Sequence, residues 1–224
     1  VVSDHGATKM DGGICFNEWL IKEGYLTLKE YPSEPTRIAD LEIDWSKTMA
    51  WGEGGYYGRL FMNVKGREPE GIVAPEDYEK IRSELIEKIA AIEDPDGENI
   101  GSIAYRPEEL YMEVNGVAPD LITYFGDLAW RSVGTVGLGT IHTFENDTGS
   151  DDANHNWDGI YILDQKGCEF GNVEPGEKEG LDIYDIAPTV MNLFGMKPIK
   201  NIRGKSLTDH KDSGILGKLK KIWS

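Results

Sequence analysis

Cysteine is scarce: only Cys15 and Cys168 occur in 224 residues, far apart and without a Cys-x-x-Cys spacing. That argues against a disulfide framework and reads as reduced thiols of a cytoplasmic protein, with a lone extracellular bridge as the alternative. No apolar run approaches the roughly 20 residues a membrane-spanning helix needs. Positive charge is also short. Lys and Arg total 23 against 40 Asp and Glu, a formal net charge of −17, and no long basic stripe offsets it, so nucleic-acid backbone binding is not the main business of the chain. Position 1 is not Met, no signal-peptide pattern opens the sequence, and an apolar stretch with polar residues sits at the terminus itself. The expectation is a longer chain cut at or near a domain edge.

What is present is enough for one large domain with a real core. Val1-Val2-Ser3-Asp4-His5-Gly6 reads as a buried strand that ends in a polar pair and turns at Gly6. Asn17 reads as the N-cap of a short helix over residues 18–23, with Gly24 as its stop. Residues 57–64 have strand composition. A helix should follow from Pro75, because Tyr78, Ile81, Leu85, Ile89 and Ile92 recur at helical spacing and two Glu/Lys pairs stand four residues apart. Residues 121–125 and 159–163 are short apolar runs suited to parallel strands buried on both faces. Asp185, Pro188 and Gly195 bracket a last helix. Strands interleaved with helices make the class α/β, with ligands expected at the carboxyl ends of strands.

Two places could carry chemistry. Asp4 and His5 offer a carboxylate oxygen and an imidazole nitrogen, a donor pair suited to zinc or manganese rather than calcium; the plain alternative is a capping or loop role. The polar segment from His142 to His155 holds two of the four histidines. It reads equally as a functional loop or as a solvated acidic one, with His142 structural and His155 the better ligand. Trp51, Tyr56 and Tyr57 read as core or pocket wall, and Arg59 and Arg67 as partners of surface carboxylates.

The ordered set of Val1-Val2-Ser3-Asp4-His5-Gly6, Asn17-Glu18-Trp19-Leu20 with Gly24-Tyr25-Leu26, a His before Gly-Ile-Tyr-Ile, Asp185-Ile186-Ala187-Pro188-Thr189-Val190 and Arg203-Gly204-Lys205-Ser206-Leu207 resembles the carboxy-terminal half of the alkaline phosphatase superfamily. The nearest branch is the type I phosphodiesterase/nucleotide pyrophosphatase-like proteins. The matches run in order from Val1 to about Leu207 and are loose between Tyr31 and Pro119. The resemblance implies an alkaline-phosphatase-like sheet with helices on both faces and its N-terminal half missing, spanning residues 1–208. Residues 209–224 form a basic amphipathic tail, for which docking on protein or disorder is favoured over membrane contact.

It also implies two divalent ions about 4 Å apart, zinc first and manganese or magnesium as alternatives. Asp4 and His5 would ligate one ion and His155 the other. The family's Ser or Thr nucleophile and its remaining ligands normally precede the Ser-Asp-His-Gly strand, so the chain alone should be an inactive part of a phosphoesterase acting on phosphate esters or nucleotides. Ser3 and Thr8 are weak substitutes for the nucleophile. A truncated sheet also exposes an edge that a homodimer would hide. Alternatives are a sulfatase or phosphoglycerate mutase of the same superfamily, or a degenerate binding domain.

Overall fold

The computed structural model describes residues 1–145, 152–163, 176, 179–197 and 199–208. These fall into two compact units, one of residues 5–159 and one of residues 1–4 with the chain from 160 onward. The second cysteine, Cys168, and the tail 209–224 lie outside the described residues.

The larger unit begins with β1 (Gly6–Lys9) and β2 (Gly12–Cys15), which leads straight into α1 (Phe16–Lys22). There follow β3 (Thr36–Arg37), β4 (Ala50–Glu53), β5 (Gly58–Met62), α2 (Tyr78–Ala90), β6 (Ile103–Tyr105), α3 (Pro107–Leu110) and β7 (Leu121–Tyr124). β8 (Trp130–Val133), β9 (Thr135–Val136), β10 (His142–Thr143) and β11 (Ala153–Asn156) complete it. The largest sheet has the order β4-β5-β7-β6 and is antiparallel throughout, with Trp51 opposite Phe61 and Arg59 opposite Ile122. A second sheet, β10-β2-β8, holds the parallel pair β2–β8, and β1 and β11 form a separate antiparallel ribbon.

The run at 121–125 is therefore a buried strand, as its composition requires, but an antiparallel one. It is apolar on both faces because it lies between β5 and β6 inside the sheet and under side chains of the core, not because helices cross over between parallel neighbours. Leu60, Met62, Leu121 and Phe125 from this sheet meet Phe16, Trp19 and Leu20 of α1 and Leu85 and Ile89 of α2 in one apolar core. Residues 57–64 and 75–92 fold as their patterns predict, over β5 and α2. Of the two expected Glu/Lys pairs on α2, Glu84 and Lys88 stand 3.9 Å apart, while Lys88 also reaches Glu23 at 2.8 Å.

Asn17 is not an N-cap. It lies inside α1, wholly buried, and its amide nitrogen donates to the carbonyls of Gly52 (2.9 Å) and Gly134 (2.7 Å) while its oxygen accepts the Gly52 N–H at 2.8 Å. Its neighbour Glu18, also buried, accepts the backbone N–H groups of Gly137, Leu138 and Gly139 and the Tyr31 hydroxyl. Gly24 does end the turn after α1, with φ +81°.

In the smaller unit the expected terminal strands shrink to a short antiparallel pairing centred on the bridge between Val2 and Tyr161, flanked by hydrogen bonds from Ser3 N–H to the Ile160 carbonyl and from Ile162 N–H to the Val1 carbonyl, with Val1 80% and Ile160 62% exposed. Neither run is a strand buried on both faces. Helix α4 (Ile186–Leu193) follows Asp185 and ends before Gly195, whose φ is +66°. The Asp185 carboxylate is turned onto the backbone N–H groups of Lys205 and Asp182, tying the helix start to the Arg203-Gly204-Lys205 stretch. The whole is a mixed α/β arrangement of several small sheets and few helices.

Candidate active site

β1 and β11 pair so that Gly6 faces Asn156 and Ala7 faces His155. Residues directly opposite on an antiparallel ribbon share a face, and alternate positions along a strand return to it. The ribbon brings His5, one residue ahead of β1, against His155, with ring centroids 4.0 Å apart and planes inclined by 46°. The strand starts at Gly6 rather than ending there. Glycine is required at this point, since a Cβ would lie 2.0 Å from the carbonyl oxygen of Asp158.

Both imidazoles are oriented by local oxygens. His5 Nδ1 is 2.7 Å from the Gly6 carbonyl oxygen, and His155 Nδ1 is 3.4 Å from the Asn154 Oδ1. The tautomer that donates from Nδ1 puts the ligand lone pair on Nε2, the arrangement found in histidines that hold metals. Asn154 is buried and donates to the carbonyls of Tyr56 (3.2 Å) and Leu128 (2.8 Å), so it fixes β11 from beneath. Tyr56 packs edge-on against His155 at 4.1 Å. Two residues beyond His155, the Trp157 indole donates to Asp127 at 2.8 Å. Asp127 and Leu128 both have positive φ, 50° and 72°, a strained pair of non-glycine residues beside the ribbon.

Of the three residues singled out from the sequence, the ribbon joins His5 and His155. Asp4 precedes His5 in the chain and belongs to the smaller unit, where it is exposed. His142 is structural as expected: its Nε2 meets the Glu93 carbonyl oxygen at 2.8 Å and its ring packs on Trp130. Of the polar segment between them, residues 146–151 lie outside the described residues. Among the described residues no three His, Cys, Asp or Glu side chains form a metal-binding group. Imidazole nitrogens are donors suited to zinc-class ions, and the ribbon supplies two such rings side by side. Asn154 and Trp157 had no sequence signal beyond their nearness to His155, and Asp127 had none, because their partners are 26 to 98 residues away in the chain.

Residues 1–151 match the family model of type I phosphodiesterase / nucleotide pyrophosphatase. The chain belongs to this family. No curated protein and no solved structure matches it. As a type I phosphodiesterase relative, the chain carries a domain whose family acts on phosphate esters or nucleotides, which suggests phosphoric ester hydrolysis. The matched region includes Asp4 and His5 and stops short of His155, so the place of His155 beside His5 rests on the register of the β1–β11 ribbon.

Proposed function

We propose that this chain contributes the metal-binding part of a phosphoesterase that cleaves phosphodiesters or pyrophosphates of nucleotide type, or small phosphomonoesters. Family membership over residues 1–151 supports the class of reaction; the observation that carries the site is the packing of His5 on His155. In this reading Asp4 and His5 hold one divalent ion and His155 the other, zinc by preference. Bound divalent ions supply Lewis acidity toward phosphoryl oxygens and lower the pKa of a hydroxyl or water. The chain's own residues orient and support. Gly6 and Asn154 fix the two imidazoles, and the ribbon holds their separation.

The attacking hydroxyl is proposed to come from outside these 224 residues, within an alkaline-phosphatase-like domain having helices on both faces of its sheet. Thr8 stands opposite Asn154, on the face of the ribbon away from His155, and therefore faces away from the histidine pair. The Ser3 hydroxyl is engaged by the backbone, accepting the Ile160 N–H at 2.8 Å. The chain alone is therefore expected to bind metal without turning over.

Equilibrium dialysis against zinc tests the site without requiring activity. Binding by the parent chain, lost or weakened at least tenfold in His5→Ala and in His155→Ala, is the expected result; equal uptake by all three would remove the assignment. With excess zinc, bis(4-nitrophenyl) phosphate should not be hydrolysed catalytically. Sustained turnover that disappears in Thr8→Ala would place the nucleophile inside the chain instead.

A further inference from the structure

A cleft of about 820 Å³ opens elsewhere in the larger unit, sharing no residue with the histidine ribbon. Its size is that of a small-molecule site. One wall is aromatic: Trp45 packs edge-on to Trp51 at 5.1 Å, and Trp51 stacks on Phe61 at 5.5 Å with planes 18° apart. Apolar residues of the segment between α3 and β7, including Val114, Val117 and Pro119, also line the cleft.

The lining also carries charged residues, and their pairing decides what the cleft can accept. Asp120, 3% exposed, receives both terminal nitrogens of Arg67 at 2.7 Å, the Tyr78 hydroxyl at 2.6 Å and the Met62 N–H at 2.6 Å. Arg67 further donates to Glu68 and to the Met62 carbonyl. Arg82, 6% exposed, directs all its N–H groups at Glu79, Glu108 and the Tyr78 oxygen. The Tyr78 ring lies under both guanidiniums, 5.0 Å from Arg82 and 5.9 Å from Arg67. An anionic ligand would find the two cations engaged, and it would enter a cleft whose lining carries four carboxylates, Glu68, Glu70, Glu108 and Asp120, against two guanidiniums. A phosphate ester is thus disfavoured here.

We infer that this cleft is a binding site for an organic cation, an ammonium group on a small apolar body. Aromatic rings such as Trp45, Trp51 and Phe61 in the lining attract a cation placed over a face, the more so when water is partly excluded. The carboxylates left in excess, with Glu70 outside every ion pair among the described residues, supply the countercharge. The apolar part of the lining takes the rest of the molecule.

The test compares three probes that share a benzene ring, titrated calorimetrically into the full chain: benzyltrimethylammonium, benzyl alcohol and phenyl phosphate. The cation should bind roughly tenfold more tightly than the alcohol, a ratio within the range of cation–π attraction plus one countercharge. Phenyl phosphate should not displace it. Trp51→Ala should weaken the cation at least fivefold, and Glu70→Gln, which alters an exposed side chain and keeps the fold, should weaken it about threefold while leaving benzyl alcohol unchanged. Equal affinity for cation and alcohol, displacement by phenyl phosphate, or a Glu70→Gln titration identical to the parent would each overturn the assignment. The histidine pair does not enter this readout, so the outcome is independent of the phosphoesterase reading.

Discussion

Asn17 satisfies three backbone groups with one amide, two on Gly52 within β4 and one on Gly134 between β8 and β9, and no other side chain of its size offers both donors and an acceptor in a plane. Asn17→Ala should cost about 3 kcal/mol, because the Gly52 and Gly134 groups stay buried without partners. Asn17→Asp should recover little, since a carboxylate cannot donate to the two carbonyls. Urea midpoints of the three proteins measure this, and an alanine variant within experimental error of the parent would show that water replaces the amide. Tyr78 gives a second test at this scale. Burial first, and then the Asp120 carboxylate, push its hydroxyl from 10.0 up to about 12. The folded protein therefore holds the proton more tightly than the unfolded chain, and stability present below pH 10 is lost as the pH climbs towards 12. Tyr25 is shifted the same way by burial and Glu84, so part of the alkaline loss remains without Tyr78. Thermal melts between these pH values should fall less steeply for Tyr78→Phe than for the parent; parallel curves would deny the shift.

The β1–β11 ribbon is the element on which the candidate site depends, and Gly6 is its tightest point. A methyl group there would meet the Asp158 carbonyl, so Gly6→Ala should release the ribbon. Amide exchange at residues 6–9 and 153–156 should rise at least tenfold, with the β4-β5-β7-β6 sheet unaffected; unchanged protection would mean that the Asp158 segment simply moves aside. Some of this architecture is legible in local pattern. α2 announces itself by apolar spacing, α4 by Asp185 and Gly195, and β7 by an unbroken apolar run. Direction and partner are not local properties, which is why residues 121–124 read as a parallel strand and pair antiparallel on both sides. Residues 1–2 and 159–163 look apolar enough for buried strands, yet they form only a short pairing with each other, through bonds such as Ser3 N–H to the Ile160 carbonyl and Ile162 N–H to the Val1 carbonyl, and their apolar side chains stay exposed. His5 and His155 were recognisable from residue type, whereas Asn154, which supports His155, has the composition of any loop asparagine.

The large apolar cluster of the molecule, with the side chains packed on it, lies wholly between Ile14 and Ile141. Residues 5–159 are accordingly expected to fold without the remainder and to unfold cooperatively. A broad, non-cooperative melt of that segment would count against an independent core. The net charge of −17 acts over the entire chain, and self-repulsion of this kind is screened by salt. Raising sodium chloride from about 10 to about 150 mM shortens the Debye length from roughly 30 to 8 Å, and the melting temperature should rise by a few degrees; a fall would point to ion pairs such as those of Arg67 and Arg82 as the dominant charge effect. The bonds made by Glu18 bear on how the molecule is born. Its carboxylate waits for N–H groups 119 to 121 residues downstream. At synthesis rates of about 5–20 residues per second, α1 spends on the order of ten seconds on the ribosome before its partner loop exists. Over that interval the helix and its apolar face are open to chaperones, and the larger unit cannot close before residues 137–139 have been made.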